Sequence, residues 1–156
     1  MYEVGKTYKH NGKIKLCESG FHACHELHQV WQFYPNNGNN VFYEVECDGE
    51  IIDSEHNDGK FVCSEITLIK EVDISDVEKF DFCQQFYDNF AYIIKFKDEN
   101  GKNKNKKYNF IDTKGKLISE RWWLDVSSFC DGVACVKSGN GRYIEINTKG
   151  ELIKKQ

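Results

Sequence analysis

Cys17, His22, Cys24, His25 and His28 fall within a stretch of twelve residues. Thiols and imidazoles gathered that closely are the groups that hold zinc or attack an electrophile. Structural zinc takes four ligands, usually Cys pairs and His pairs separated by roughly two to five residues. His25 and His28 have a helical spacing that could share a metal, but Cys17 and Cys24 flank a wide gap and no second pair follows downstream. The favoured expectation is a strand–helix corner with buried cysteine and hydrogen-bonded histidine, with no metal and no cofactor. A cysteine nucleophile needs a base facing a partly exposed thiolate. Cys24 and His25 are adjacent, and neighbours at a strand end point apart, so no catalytic residue is expected. The sequence has no phosphate-binding Gly-rich loop, no dinucleotide-binding Gly pattern and no His-Glu-x-x-His.

The remaining candidates suit contact better than catalysis. Residues 95–107 carry six lysines in a segment of low complexity. Lys102, Lys104, Lys106 and Lys107 are candidates for partner contact. A basic hairpin tip can touch phosphates with an affinity that falls with salt. The favoured reading is a solvated tip that blocks edge pairing, so nucleic-acid contact through the 95–107 loop is the lesser expectation. Arg121, Trp122 and Trp123 complete the set. Strand neighbours alternate faces, so one indole belongs to the core and the other is an anchor of the kind enriched in binding hot spots.

The chain that must position these residues has 156 of them, 40% hydrophobic and 14% aromatic, with one proline. That suffices for one domain or two small modules. The net charge of −4 conceals a split: residues 1–77 carry −8 and residues 78–156 carry +4. Such a contrast implies two different surfaces and disfavours a uniform nucleic-acid-binding face. No apolar run reaches the roughly 20 residues of a membrane span, and residues 1–6 lack a signal-peptide core. The expectation is a soluble, cytoplasmic protein whose seven cysteines stay reduced, mostly as small buried hydrophobes.

Residues 86–94 match residues 129–137, and residues 108–118 match 143–153; the first copy holds an insertion within 98–107. Asp112-Thr113-Lys114-Gly115 and Asn147-Thr148-Lys149-Gly150 place an Asx residue first and Gly last, the chemistry of a tight hairpin turn. The flanking runs alternate and are rich in β-branched and aromatic residues, which predicts strands. In the first half, strands are predicted near 5–12, 17–24, 41–48 and 60–69. A short amphipathic helix is predicted over 25–34, with Leu27, Val30, Trp31 and Tyr34 on one face. The order is β-β-α-β-β, with a junction near residue 75.

Residues 78–156 resemble the WG-repeat family as about two copies, with Asn109 and Ile144 standing where the name-giving Gly follows the aromatic. The resemblance implies a β-rich interaction scaffold without common catalytic residues. Tyr2–Tyr8, the octapeptide Cys17-Glu18-Ser19-Gly20-Phe21-His22-Ala23-Cys24 and residues 43–49 are similar to an uncharacterised family of bacteriophages and mobile elements. That resemblance covers about residues 1–74 and implies a phage-linked context. The expected architecture is therefore α+β: a small module over 1–75, then antiparallel β-rich WG-like repeats over 76–156. The expected function is non-enzymatic binding of a host or phage protein in a bacterial cytoplasm, as an anti-CRISPR-like inhibitor of a defence system. Its acidic first half would suit a basic, nucleic-acid-binding effector. The alternative is an ADP-ribosyltransferase-like or nucleotide-acting enzyme in the first module, with Glu65 as its late acid. Against it, no Arg precedes Arg121.

Overall fold

The structure, a computed structural model, describes residues 2–56, 58–97, 100 and 102–153. The described residues form mostly antiparallel β-sheet with one four-residue helix, and no helix among them is long and apolar enough to cross a membrane. The chain divides into two compact units. The first comprises Met1–Val30 and Gly38–Ser75; the second comprises Trp31–Asn37 and Asp76–Gln156.

The first unit contains β1 (Thr7–Lys9), β2 (Phe21–Cys24), α1 (Leu27–Val30), β3 (Tyr43–Asp53) and β4 (Lys60–Glu71). Strand β4 is central because it is apolar on both faces where it begins: Phe61, Val62 and Cys63 are all buried. Along one edge β4 pairs with β2 through Lys60–Cys63 and with β1 through Glu65–Thr67. Along the other it pairs with β3 from Phe61 to Glu71. Phe61, Cys63 and Ile66 form the core, with Tyr8, Phe21, Ala23, Val45 and Cys47 packed around them. Strand β3 changes register at Glu44/Val45 and between Asp48 and Ile51. At the second shift Gly49 has φ +77°, and a Cβ there would lie 2.1 Å from Ser64 Oγ; the same hydroxyl accepts the Glu50 N–H at 2.9 Å.

The helix expected over 25–34 is confined to Leu27–Val30. The reason is Trp31, which belongs to the second unit with residues 32–37. Its indole is fully buried there against Phe80 and Phe86, with ring centroids 6.1 and 6.3 Å away. The apolar spacing of 27, 30, 31 and 34 is therefore not one helical face: Leu27 and Val30 are half-buried in the first unit, Trp31 is buried in the second, and Tyr34 is exposed.

The second unit repeats one three-stranded design. Its strands are β5 (Phe82–Cys83), β6 (Phe90–Lys97) and β7 (Asn103–Asp112), then β8 (Asp125–Val126), β9 (Val133–Lys137) and β10 (Tyr143–Asn147). The sheets run β5-β6-β7 and β8-β9-β10. Phe82 pairs with Ile94 as Asp125 pairs with Lys137. The turns coincide as well. Asp112 Oδ1 accepts the N–H groups of Lys114 and Lys116, and Asn147 Oδ1 accepts those of Lys149 and Glu151, all at 2.9–3.0 Å. The insertion is shorter as a loop than its composition suggests. Strand β7 begins at Asn103, and Lys107 lies opposite Lys95, because continuing the ladder satisfies backbone groups that a loop would leave to water.

The first hairpin is apolar on both faces. Phe90, Tyr92 and Phe110 pack against Trp123, Phe129, Ala134, Val136 and Ile146 of the second repeat. On the opposite face Ala91, Ile93 and Ile111 are buried. Phe80 and Phe86 occupy the places in the first repeat that Trp123 and Phe129 occupy in the second. Trp123 and Phe129 surround Phe110, with centroids 5.9 and 4.7 Å away, as Phe80 and Phe86 surround Trp31. The backbone agrees: the Phe80 N–H donates to Asn36 O at 3.0 Å, and the Trp123 N–H donates to Tyr108 O at 2.9 Å. Two buried asparagines tie down the connecting segments. Asn36 Nδ2 donates to Val77 O and Glu78 O, and Asn109 Nδ2 donates to Ser119 O. Residues 31–37 thus cap the first repeat as a preceding repeat would. The outward face of the second hairpin differs. Where the first has Phe90, Tyr92, Ile94 and Phe110, the second has Val133, Cys135, Lys137 and Glu145, a polar terminal face of the kind that closes a repeat stack.

Among the described residues, two buried indole nitrogens, Trp31 Nε1 and Trp123 Nε1, lack a hydrogen-bond partner. The first repeat places Phe80 where the second has Trp123, so a benzene ring suits that slot. Trp123→Phe should stay within about 1.5 kcal/mol of the parent stability, because removing an unpaired buried donor offsets the lost volume. Trp123→Ala should lose about 3–5 kcal/mol. Urea unfolding midpoints of the two variants check both values.

Candidate functional site

The chemistry-bearing residues of the first unit converge on the turn before β2. Cys17 adopts a left-handed φ of 63°, which lets residues 15–19 fold back so that Ser19 N–H donates to Lys15 O and Lys15 N–H donates to Ser19 O, each at 2.9 Å. His22 holds that turn: its Nε2 accepts the Cys17 N–H at 2.7 Å. That nitrogen is committed to backbone and cannot act as a base on a thiol. Lys60 Nζ donates to Cys17 Sγ at 3.2 Å and lies 3.8 Å from the Asp58 carboxylate. The Lys60 and Asp58 side chains are only 17% and 12% exposed. The hydrogen bond to the Cys17 sulfur, opposed by desolvation and aided by Asp58, holds the Lys60 ammonium above the usual lysine range. Desolvation pushes Asp58 up, but the Lys60 N–H, the Ser54 hydroxyl and the Lys60 charge together hold its carboxyl below the usual range.

The other members of the sequence cluster point elsewhere. Burial, then the Asp58 charge, pushes the Cys24 thiol up to about 11. His25 stacks on Phe61 at 4.8 Å and meets Asp53 at 3.2 Å. Desolvation lowers the pKa of His28. Among the described residues, no three His, Cys, Asp or Glu side chains come close enough to hold a metal ion. Glu65 is bound to Lys9 at 2.8 Å and faces Asp48 across the sheet.

The partner-contact candidates all lie in the second unit, and the structure separates them. Trp123 is buried in the repeat core at 2% exposure, so it is unavailable to a partner and leaves the set. Trp122 is half-buried, and the Lys95 ammonium sits over its ring at 4.8 Å, a cation–π contact. Lys95 also pairs with Glu78, fixing the cation above the indole. Arg121 is exposed, its N–H held by Ser119 Oγ at 3.1 Å. Lys102, Lys106 and Lys107 are exposed; the side chain of Lys104 lies outside the described residues. Lys106 and Lys107 belong to strand β7, not to a loop. The resulting surface has a fixed aromatic ring, Trp122, with Lys95 on it and Lys107 across the ladder. Sequence reasoning missed Lys95 and Glu78 as its supports. The signal was the register that sets Lys95 opposite Lys107, which sequence alone does not display.

Residues 1–80 match a family model described as a domain of unknown function (DUF7666). No curated protein and no solved structure matches the chain. The matched span holds all of the first unit and also Trp31–Asn37 and residues 76–80 of the second.

Exposure divides the thiols. Cys17 and Cys130 are exposed, whereas Cys63 and Cys83 are buried. A chromogenic disulfide reagent near pH 8 should therefore titrate two thiols promptly and the rest only slowly or on unfolding; a third fast thiol would contradict the assignment. Burial pushes Cys83 to about 12, and burial with the neighbouring Cys63 pushes Cys47 to about 12, against an ordinary 9.0. Raised folded-state values mean that stability is complete below pH 9 and is lost as pH climbs towards 12. Melting temperatures measured across that window should fall steadily.

Proposed function

The chain belongs to the DUF7666 family, a domain of unknown function, and from that premise we propose that it is a non-enzymatic protein-binding protein. The observation that carries this reading is Trp122, an aromatic side chain next to the Tyr108–Trp123 bridge and under a paired cation. Trp and Arg anchors on rigid elements are where binding energy concentrates. The groups that suggested chemistry are engaged otherwise: His22 holds a turn, and Glu65 is bound to Lys9. The repeated hairpin supports the WG-like reading of residues 76–156, and the first unit supplies the small module before it. The partner that goes with this reading is a host or phage protein, the context that the similarity of residues 1–74 to phage and mobile-element sequences would imply. An anti-CRISPR-like inhibitor that docks a nucleic-acid-binding effector is the form of this reading that suits an acidic first half.

Affinity capture from a bacterial host with the tagged full chain tests it. A single stoichiometric partner should be retained by the parent and by Glu65→Gln, and its affinity should drop about tenfold or more in Trp122→Ala. Capture that is indifferent to Trp122, or NAD turnover that Glu65→Gln abolishes without unfolding the chain, would overturn the proposal.

A further inference from the structure

Strand β3 is the outer strand of the first unit's sheet. Its partner β4 carries β1 and β2 on the far side, and no described strand pairs with the other edge of β3. Nine of its eleven residues are exposed; only Val45 and Cys47 lean into the core. The edge therefore presents backbone donors and acceptors to solvent, which an added strand can satisfy. Its side chains restrict what that strand can be. Glu44, Glu46, Asp48, Glu50 and Asp53 are all acidic, and no Lys, Arg or His lies within the strand. Glu44 pairs with Lys70, Asp53 meets His25, and Asp48 accepts the Gly49 N–H. The Glu46 and Glu50 carboxylates have no hydrogen bond or ion pair among the described residues, while the Glu50 N–H is held by Ser64 Oγ. Beside the carboxylates, Tyr43, Ile51 and Ile52 are 38%, 47% and 36% exposed.

We propose that this edge docks an extended, basic segment of a partner protein as an additional strand. A second copy of the chain would bring the same five carboxylates against these, so charge opposes self-pairing, and a nucleic acid is repelled in the same way. An extended segment alternating Lys or Arg with apolar residues meets both the carboxylates and the exposed isoleucines. The register shifts around Glu44/Val45 and Asp48/Ile51 divide the edge into two short runs, Val45–Asp48 and Ile51–Asp53, so the docked strand is short. This surface lies in the first unit and does not depend on Trp122.

The test uses the full chain with a blocked octapeptide alternating lysine and valine, and its glutamate counterpart as control. Fluorescence anisotropy at about 50 mM and about 500 mM NaCl separates the electrostatic part of the affinity. The lysine peptide should bind and the glutamate peptide should not. Binding should weaken at least about tenfold in high salt and in Glu46→Lys/Glu50→Lys. Amide exchange should slow along residues 43–53 on binding, and Trp122→Ala should leave the peptide affinity unchanged. Both glutamates are exposed, so the double variant should keep the parent melting temperature; Glu50→Gln, with a smaller loss, is the check if it does not. Absence of binding, equal affinity in the charge-reversed variant, or protection elsewhere than β3 would overturn the proposal. None of these results bears on the anchor at Trp122, which partner capture tests separately.

Discussion

The hairpin of β6 and β7 has apolar side chains on both sides of a single sheet, and neither side can be left in water. One side meets the second repeat through Phe110, Trp123 and Phe129. The other, with Ala91, Ile93 and Ile111, is buried as well, and in the same unit Trp31 meets Phe80 edge-on and Phe86 at a tilt. Most of the second unit follows from that double demand. Trp31–Asn37 must leave the surrounding sequence to reach it, which is why the unit is discontinuous. Gly115 must lack a side chain, since a Cβ there would lie 2.9 Å from the Trp31 ring and 2.6 Å from Val77. The second hairpin has only one apolar side, with Ala134, Val136 and Ile146 inward, and so needs only one neighbour.

The first unit uses polar chemistry for shape. A left-handed cysteine is an unfavourable backbone state, and the imidazole of His22 stabilises it by taking the Cys17 N–H. Lys60 is drawn between the Cys17 sulfur and the Asp58 carboxylate at the start of the central strand. Desolvation opposes a buried ammonium, and those two partners compensate it. Two of the surfaces open to other molecules are the outer edge of the sheet at β3 and the face of the repeats that carries Trp122 and Lys95. These two surfaces carry opposite charge, as the division of charge along the chain implies.

Much of the second unit was legible in the sequence because its information is local. Asp112 with Gly115, and Asn147 with Gly150, specify the turns within four residues, and alternation fixes the strands beside them. The helix over 25–34 was misread because an apolar spacing reports that side chains are buried, not what buries them. Leu27 and Trp31 satisfy the same periodicity in different units. The lysines of 102–107 read as a loop by composition, yet pairing with β6 makes most of that segment strand. Of the aromatic pair, Trp123 is buried and Trp122 half-buried, and only the register of Lys95 reveals what rests on Trp122. The role of His22 depends on a hydrogen bond across a turn whose shape Cys17 sets, and no pattern in the sequence encodes it.

The placement of the cap also sets a schedule. A chain made from its N-terminus exposes Trp31 before Phe80 and Phe86 exist, and at about 5–20 residues per second the indole waits roughly 3–10 s for its partners. During that interval β4 is completed at Glu71, so the last strand of the first unit is made before the partners of Trp31. Synthesis of the repeats then removes the tryptophan from water. The nascent chain therefore carries a temporary sticky residue whose shielding is delayed until its second unit is translated, a window in which a ribosome-associated chaperone has something to hold.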